Sequence, residues 1–272
     1  MKILDGRELA DFIKERQAGQ VRALRQASQV FPKLAIIQTI DNPVIDTYVQ
    51  LKQSYGEDIL IDVAVHKIDQ AGLMTTIEQL NNDDTVHGII IQLPLADEAQ
   101  TSAAVDAVTP EKDVDGLGKN AIHTPATAMA IDWLLAGYNV ALQGVSIAIV
   151  GNGRLVGAPL AKLWATTGYD VKVYDDSIED LAGELRGANV IVTATGVPSL
   201  IHSQMIQPAA VVVDAGTAAE HGKIVGDLAA DVRERSDLTI TPEKGGVGPL
   251  TVTALFDNVI QAARKVAERL EV

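Results

Sequence analysis

The sequence predicts an α/β protein with two α/β domains, of which the second contains a doubly wound parallel sheet. Short runs rich in β-branched residues alternate with amphipathic stretches along the 272-residue chain, which is the βαβ rhythm of parallel sheets. Hydrophobic residues make up 47% of the chain and aromatic residues only 4%, so aliphatic side chains must build the cores. At about 100–200 residues per domain, the length suits one large or two ordinary domains.

The first half of the chain alternates predicted strands with predicted helices. The predicted elements are strands over 33–39, 62–68 and 87–93 and helices over 45–56 and 72–81. The third strand carries an amide, Gln92, in an otherwise apolar run, and an amide is costly to bury without hydrogen-bond partners. Pro94 follows closely and has no N–H to donate to a sheet, so the strand is expected to end there.

The residue composition changes over 113–125, where Asp, Gly and Pro cluster. This cluster predicts a loop at a domain boundary. The βαβ rhythm resumes beyond it. The predicted elements are a helix over 126–137, strands over 146–151, 170–175, 189–195, 210–216 and 238–241, and a helix over about 250–270. In that last helix an apolar stripe recurs at helical spacing, formed by Leu255, Val259, Ala262, Val266 and Leu270.

Charge and composition argue against several classes of protein. The net charge is −14 and no run is rich in Lys or Arg, which argues against nucleic acid and anionic membrane surfaces as partners. The absence of cysteine excludes disulfides, thiolate-bound zinc and thiol catalysis. The five histidines are scattered without ligand spacing, so no metal site is predicted. With no signal-like N-terminus and no apolar run near ~20 residues, a cytoplasmic location is expected.

A dinucleotide-binding motif opens the second series of strands. The stretch "IAIVGNGRLVGAPLAKLW" (147–164) reads as a strand, a glycine-rich turn and a helix in direct succession. Gly151 and Gly153 permit a tight turn and close approach of a pyrophosphate, and Gly157 lets the helix pack close to the strand. The helix N-terminus adds unpaired N–H groups and a positive dipole end. The sequence therefore predicts a Rossmann-like domain.

An acidic residue after the next strand bears on the choice of cofactor. Asp175 lies 24 residues after Gly151, near the ~20 expected for a carboxylate that binds the ribose 2′-hydroxyl. Such an acid repels a 2′-phosphate, which favours NAD over NADP. Alternatively, Asp175 and Asp176 cap a helix that starts near Ser177. Arg154 is able to hold a phosphate, which keeps NADP open.

Seven stretches spread over nearly the whole chain carry a resemblance. They are "ILDGRELA" near the start, "YVQLK" (48–52), "GIIIQLPL" (88–95), "PEKDVDGL" (110–117), "IVGNGRLVGAPL" (149–160), "ATGVP" (194–198) and "TPEKGGVGPLT" (241–251). With them the chain resembles the bifunctional methylenetetrahydrofolate dehydrogenase/cyclohydrolase (FolD) family. The resemblance implies two α/β domains around a cleft, with the C-terminal helix returning to the first. It divides the chain into a folate-binding catalytic domain (1–121 plus 252–272) and a dinucleotide-binding domain (122–251).

The resemblance also implies two reactions of one-carbon metabolism. A hydride passes from the methylene carbon of 5,10-methylenetetrahydrofolate to NAD or NADP, and the resulting methenyl cation is hydrolysed to 10-formyltetrahydrofolate. Members of the family are commonly homodimers through the cofactor domain. The partners implied are therefore a folate substrate, a dinucleotide and a second copy of the chain.

Lys52 matches the catalytic lysine of the family, and it must have a lowered pKa because an ammonium group cannot act as a base. Tyr48 lies four residues earlier on the same helix face. By resemblance, Gln92 hydrogen-bonds the lysine and orients it. Alternatively, Lys52 and Tyr48 form an ordinary solvated pair, and Gln92 is satisfied by backbone.

The other folate-binding residues are also assigned by resemblance. Asp115 is expected to accept hydrogen bonds from the pterin amino and N–H groups, and Gly248 and Pro249 are expected to line the folate site. Alternatively, Asp115 forms an Asx turn beside Gly116.

The chain departs from the family pattern on the cofactor side. The family's Gly-Arg-Ser is here Gly151-Asn152-Gly153, and its Cys-His-Ser is here Tyr174-Asp175-Asp176. Both changes favour NAD over NADP. The candidate cofactor-binding residues are Gly151, Asn152, Gly153, Arg154, Val156, Gly157, Asp175, Asp176, Thr195, Gly196 and Thr217.

Further departures lie near the folate site. Ile45 replaces a serine, Glu243 and Lys244 stand beside the "GGVGP" turn, and His123 is either a new polar contact or, as favoured here, a loop residue. These changes leave two alternatives open. One is an NAD-dependent dehydrogenase of another small substrate on the same scaffold, and the other is a non-catalytic relative that binds the cofactor.

Overall fold

The computed structural model describes residues 1–220 and 223–270, and its architecture is the predicted mixture of helices and parallel sheets. The strands are β1 (Lys2–Ile3), β2 (Lys33–Gln38), β3 (Asp62–Lys67), β4 (Gly88–Ile91), β5 (Ser146–Val150), β6 (Asp170–Tyr174), β7 (Val190–Thr193), β8 (Val211–Asp214), β9 (Ala218–Glu220), β10 (Lys223–Val225) and β11 (Thr239–Ile240). The α-helices are α1 (Gly6–Ala27), α2 (Pro43–Asp58), α3 (Leu73–Asn81), α4 (Thr101–Ala107), α5 (Ala126–Gly137), α6 (Gly157–Thr166), α7 (Leu181–Leu185), α8 (Ala230–Arg233) and α9 (Val247–Leu270).

Two compact units share these elements. The six-stranded unit comprises residues 1–10 and 127–251, and the three-stranded unit comprises residues 11–126 and the described part of 252–272. In the described parts of the chain, no helix is both long and apolar enough to cross a bilayer.

The three-stranded unit is built on a parallel sheet of order β3-β2-β4. The central strand β2 is buried along nearly its whole length, as expected when both faces of a parallel strand are covered. Helix α2 begins where predicted because Asn42 caps it, accepting a hydrogen bond from the Val44 N–H at 2.8 Å, and Pro43 occupies the first turn. The predicted strands and helices of this half are confirmed within a few residues at each end.

The six-stranded unit contains a parallel sheet of order β1-β11-β8-β7-β5-β6. The chain leaves β5 for β6 on one side and then returns to β7 on the other side, which makes the sheet doubly wound. The carboxyl ends of β5 and β7 therefore form a topological switch point, where such sheets bind ligands. Strands β9 and β10 pair antiparallel outside this sheet. The predicted Rossmann-like arrangement is confirmed.

The first ten residues group with the six-stranded unit, whereas the predicted division assigned 1–121 to the catalytic domain. Strand β1 pairs with β11, and the Leu4 N–H donates to the Ile240 carbonyl at 2.9 Å. The Gly6 N–H donates to the Gly245 carbonyl, and a Cβ on Gly6 would lie 1.8 Å from the Gly246 oxygen. A two-residue strand gives too little periodicity to predict. Residues 271 and 272, the end of the predicted catalytic segment, lie outside the described residues.

The C-terminal helix α9 begins at Val247, three residues before its predicted start, so the "GGVGP" turn leads directly into it. Leu255, Val259 and Ala262 are buried as the predicted stripe requires. Leu270 is 70% exposed, so its place in that stripe was wrong: the apolar contact ends before the last turn of the helix.

Candidate active site

An amine and an amide meet at the carboxyl end of β4. The Gln92 N–H donates to the Ile37 carbonyl at 2.9 Å and so extends the pairing of β4 with β2 by one hydrogen bond. The Gln92 side chain accepts from Lys52 Nζ through Oε1 at 3.0 Å and donates from Nε2 to the Leu93 carbonyl at 3.1 Å. The amide is therefore satisfied by the predicted lysine and also by backbone. Its fixed orientation presents a carbonyl oxygen to the amine.

The environment of Lys52 differs from that of a solvated surface lysine. Burial lowers the pKa of the Lys52 ammonium group, and the nearby Asp115 carboxylate opposes that shift only in part. A larger fraction of the amine is thus neutral near pH 7 than for a free lysine. Tyr48, one turn earlier on α2, is half-buried, and burial raises the pKa of its hydroxyl, which stays protonated as a hydrogen-bond donor.

The two aspartates of "KDVDG" have different surroundings. Asp113 is buried, and its carboxylate accepts from the N–H groups of Gly116 at 3.0 Å and Gly118 at 2.8 Å. The turn beside Gly116 is therefore held by the Asp113 carboxylate. An Asx turn of Asp115 requires the Leu117 N–H, which instead donates to Asp113 Oδ1 at 3.4 Å, so that alternative was wrong. The pKa of Asp115 is raised to about 6: burial raises it most, the Lys52 charge lowers it in part, and the Asp113 charge raises it. Asp115 thus shares an electrostatic site with Lys52.

Backbone contacts hold the segment that carries these aspartates beside β4. The Ile89 N–H donates to the Lys112 carbonyl at 2.8 Å, and Ile89 pairs in parallel with Asp113. A Cβ on Gly88 would lie 2.9 Å from the Val114 methyl groups, so glycine permits this close approach. Because the segment runs parallel to β4, Asp115 emerges at the same sheet edge as Gln92.

Lys112 anchors the same segment from the other side. Its Nζ donates to three carbonyl oxygens at the end of α3, those of Leu80, Asn81 and Asp83, at 2.7–3.0 Å. A cation at a helix C-terminus also interacts favourably with the helix dipole.

Asn258 of α9 is a further supporting residue, and the sequence interpretation missed it. Its buried amide donates to the Val114 carbonyl at 2.8 Å and to the Thr124 carbonyl at 2.9 Å, and these residues flank the loop that contains Asp115. The available signal was a polar residue directly beside the apolar stripe of α9.

The departures near the predicted folate site fall in different environments. His123 is buried and its Nε2 hydrogen-bonds the Glu111 carbonyl at 3.2 Å, which agrees with a loop residue. Burial lowers the pKa of His123. Ile45 is buried in α2, whereas Glu243 and Lys244 are exposed. Among the described residues, no group of three or more His, Cys, Asp or Glu side chains is arranged to hold a metal ion.

In the six-stranded unit, the predicted cofactor-binding glycine turn is tight and closely packed. Gly151 has φ +101°, and a Cβ there would lie 2.6 Å from the Ala194 carbonyl oxygen. A Cβ on Gly157 would lie 1.8 Å from the Gly151 oxygen, so α6 starts directly against the turn. Val156 precedes α6 and offers no side-chain cap. The Ala158 N–H donates to the Gly153 carbonyl at 3.1 Å and Pro159 has no N–H, so the start of α6 offers an anion few backbone donors besides its dipole end. Asn152, Gly153 and Arg154 are exposed.

Asp175 follows β6 directly, at the carboxyl edge of the sheet. Its carboxylate accepts from the Ser177 N–H at 3.1 Å and hydroxyl at 2.6 Å, and these bonds lower the pKa of Asp175. No helix begins near Ser177; α7 begins at Leu181 and is capped by Asp180. The helix-cap alternative for Asp175 and Asp176 was therefore wrong. Both side chains are exposed.

The remaining predicted cofactor residues follow β7 and β8. The Thr195 N–H donates to Asp227 at 2.7 Å, the Thr195 hydroxyl accepts from the Val197 N–H, and Gly196 has φ +68°. Thr217 follows β8 and is exposed. Gly248 and Pro249 lie in the first turn of α9, within the six-stranded unit. Their part in folate binding stays a prediction.

Two family models match this chain. The catalytic domain of tetrahydrofolate dehydrogenase/cyclohydrolase matches residues 4–115, and the NAD(P)-binding domain of the same family matches residues 125–267. The chain belongs to the tetrahydrofolate dehydrogenase/cyclohydrolase family. The predicted family and enzyme class, methylenetetrahydrofolate dehydrogenase and methenyltetrahydrofolate cyclohydrolase, are thereby confirmed.

Individual relatives agree with the family assignment along the whole chain. The bifunctional protein FolD of Amoebophilus asiaticus is 36% identical over 286 residues, which cover 96% of each protein. The crystal structure of FolD from Campylobacter jejuni has a TM-score of 0.92 at 33% identity and covers 98% of this chain and 99% of that one. The Trypanosoma brucei enzyme, solved with NADP and an inhibitor, has a TM-score of 0.89 at 29% identity and covers 97% of each chain.

Proposed function

We propose that this family member oxidises 5,10-methylenetetrahydrofolate with NAD as its preferred cofactor and hydrolyses the methenyl product through Lys52, Gln92 and Asp115. The observation that carries the proposal is the 3.0 Å hydrogen bond from Lys52 Nζ to Gln92 Oε1, with Asp115 acting electrostatically on the same amine. The supporting contacts of Asp113, Lys112 and Asn258 make this arrangement rigid, as a preorganised site requires.

Hydrolysis of the methenyl cation requires removal of a proton from the attacking water. Neutral Lys52 is the base, and the cationic folate lowers its pKa further by charge repulsion. Gln92 accepts one N–H of the amine and thereby directs the nitrogen lone pair away from the amide. Tyr48 supplies a protonated hydroxyl from the same face of α2. Asp115 accepts hydrogen bonds from the pterin N–H donors and fixes the ring.

Hydride transfer demands mainly positioning, because the nicotinamide carries the reactive chemistry. The tight glycine turn and the positive dipole end of α6 fit a pyrophosphate. Asp175 stands at the sheet edge as an ionised carboxylate, suited to a free 2′-hydroxyl and repulsive to a 2′-phosphate. Asn152 and Gly153 provide no positive charge for a phosphate. These features support NAD over NADP as the preferred cofactor.

The direct test is a spectrophotometric assay of the purified protein with 5,10-methylenetetrahydrofolate. We expect kcat/KM with NAD to exceed that with NADP by about tenfold or more, because the Asp175 carboxylate repels a 2′-phosphate. Decay of the methenyl absorbance reports the hydrolysis. Equal or faster turnover with NADP contradicts the NAD preference, and dinucleotide binding without turnover contradicts the catalytic proposal.

Replacing Asp175 with serine is expected to shift the NAD/NADP preference by about 10–100-fold toward NADP. The variant loses a charged hydrogen bond to the ribose together with the repulsion of a 2′-phosphate. The measurement is kcat/KM with each cofactor. Asp170→Ser is the matched control, because Asp170 is equally exposed and lies at the opposite, amino end of β6. If the ratio of kcat/KM with NAD to kcat/KM with NADP is unchanged in Asp175→Ser, Asp175 does not bind the ribose.

We also propose a homodimer formed through β6. This strand is at one end of the six-stranded sheet and pairs only with β5 in the described parts of the chain, so its outer edge is open. Val173 on this edge strand is 37% exposed, and natural proteins cover or charge such edges. A symmetric pairing of two copies covers both edges at once.

Light scattering is expected to give twice the chain mass of 28.8 kDa for the wild-type protein. Val173→Asp is expected to raise the dimer dissociation constant about tenfold or more, because it buries two like charges near the symmetry axis. Ile122→Asp, at an exposed apolar residue of the other unit, is the control and should leave the mass unchanged. A wild-type monomer at all concentrations contradicts this proposal.

A further inference from the structure

A fully buried carboxylate lies under the predicted cofactor loop that follows β7. Asp227 has no exposed surface, and its Oδ2 accepts from the Thr193 hydroxyl at 2.6 Å and from the Thr195 N–H at 2.7 Å. Thr193 is the last residue of β7, and Thr195 is the first predicted cofactor residue beyond it. One oxygen of Asp227 thus fixes the path of the chain as it leaves the sheet.

The second oxygen of Asp227 faces the loop that follows the neighbouring strand β8. Asp227 Oδ1 has no hydrogen-bond partner in the described structure, and a Cβ on Gly216 would lie only 1.9 Å from it. Gly216 therefore has to be glycine for the carboxylate to lie against its backbone. The N–H groups of Asp227 and Gly216 both donate to Asp214 Oδ1, at 3.0 and 3.1 Å.

The loops after β7 and β8 are thereby fixed relative to each other. A Cβ added at Gly196 would be 3.5 Å from the Thr217 carbonyl oxygen, so these loops lie close together. Gly196 and Thr217 are both predicted cofactor residues. Burying a carboxylate that leaves one oxygen unpaired is costly, so packing alone does not account for Asp227.

We propose that Asp227 is a positioning residue for dinucleotide binding, which orients Thr195–Gly196 and Gly216–Thr217 without touching the cofactor. The inference rests on the proposed function, because it takes these two loops as part of the cofactor site. Loss of the carboxylate frees the Thr195 N–H and Thr193 hydroxyl from their shared acceptor and lets the loops move. Dinucleotide affinity is then lost, whereas hydrolysis of the methenyl cation, which uses no dinucleotide, is retained.

The test compares Asp227→Ala and Asp227→Asn with the wild-type protein. NAD affinity is measured by calorimetry, and methenyl hydrolysis is measured without dinucleotide. We expect Asp227→Ala to raise the NAD dissociation constant about 10–100-fold, as expected for lost hydrogen bonds to a charged group. Hydrolysis should stay within about twofold of wild type. Asp227→Asn should recover most of the affinity, because its amide oxygen accepts the same two hydrogen bonds.

Asp231→Asn is the matched control, since the Asp231 carboxylate accepts from the N–H and hydroxyl of Ser203, which is not a predicted cofactor residue. It should change neither readout. An unchanged NAD affinity in Asp227→Ala overturns the inference. A parallel loss of NAD affinity and hydrolysis also overturns it, because that result indicates a general structural role for Asp227. If Asp227→Ala fails to fold, Asp227→Leu decides, because leucine fills a similar space without accepting a hydrogen bond: a weaker NAD affinity with intact hydrolysis supports the inference, and wild-type affinity overturns it. A wild-type protein that binds NAD without turnover contradicts only the proposed function.

Discussion

Replacing Lys52 with methionine is expected to slow the hydrolysis of methenyltetrahydrofolate by about 10²–10⁴-fold, the usual contribution of a general acid or base. Methionine keeps the length of the side chain and removes the amine that Gln92 orients. Because burial lowers the pKa of Lys52, the loss should be largest where the amine of the wild-type protein is neutral. The pH–rate profile of the variant should lack the limb that reports the lysine.

The measurement is the decay of methenyl absorbance from pH 6 to pH 9, followed together with the dinucleotide affinity. Lys265→Met serves as the control because Lys265 is an exposed lysine on a helix of the same compact unit. Dinucleotide affinity should be unchanged in both variants. A Lys52→Met protein that hydrolyses the methenyl form at the wild-type rate would remove the lysine from the mechanism.

Replacing Asp115 with asparagine is expected to raise the KM for the folate substrate by about 10–100-fold. A carboxylate that accepts N–H groups contributes about 1.5–3 kcal/mol per charged hydrogen bond, and the amide supplies only one accepting oxygen. Both reactions should be affected, because both use the same pterin ring. The KM for NAD should remain within about twofold of the wild-type value.

The same residue predicts how folate binding depends on pH. With the pKa of Asp115 raised to about 6, the wild-type protein should lose folate affinity as the pH falls below that value, because protonation removes the accepting charge. Asp115→Asn should lack this dependence. Folding stability depends on the protonation of Asp115 in the opposite direction from folate affinity, because the folded protein holds the Asp115 proton more tightly than the unfolded chain. The stabilisation that comes from protonated Asp115 is therefore fully present below about pH 4 and is lost as the pH rises through about 6.

Asp84→Asn is the control for these measurements, since Asp84 is an exposed aspartate of the same unit. It should reproduce the wild-type pH dependence of folate affinity. If Asp115→Asn binds the substrate as tightly as the wild-type protein and keeps its pH dependence, Asp115 does not contact the pterin ring.

Local patterns in the sequence were sufficient for the regular parts of the fold. The unit β2–α2–β3 was predicted because apolar strands alternate with a helix whose start is marked by Asn42 and Pro43. The turn from β5 into α6 was predicted because close backbone approach admits only glycine at Gly151 and Gly157. The short strand β1 was missed, because its pairing with β11 joins residues more than 230 positions apart.

Some residues of the candidate site were likewise predicted from the sequence, and others were missed. Lys52, Gln92 and Asp115 were found because they lie in short motifs that resemble a known family. Asp113, Asn258 and Asp227 were missed because they act on backbone groups, such as the Val114 carbonyl and the Thr195 N–H. Backbone partners leave no residue-type signature, so a single sequence does not reveal these contacts.

A crystal structure of the protein with NAD and a non-hydrolysable methenyltetrahydrofolate analogue tests the central claim most directly. We predict pterin N–H groups about 2.7–3.2 Å from the Asp115 carboxylate, with Lys52 Nζ beside the carbon that bridges N5 and N10. Gln92 should keep its hydrogen bond to the amine. An analogue bound with Lys52 and Asp115 both out of contact would contradict the assignment of this group as the folate site.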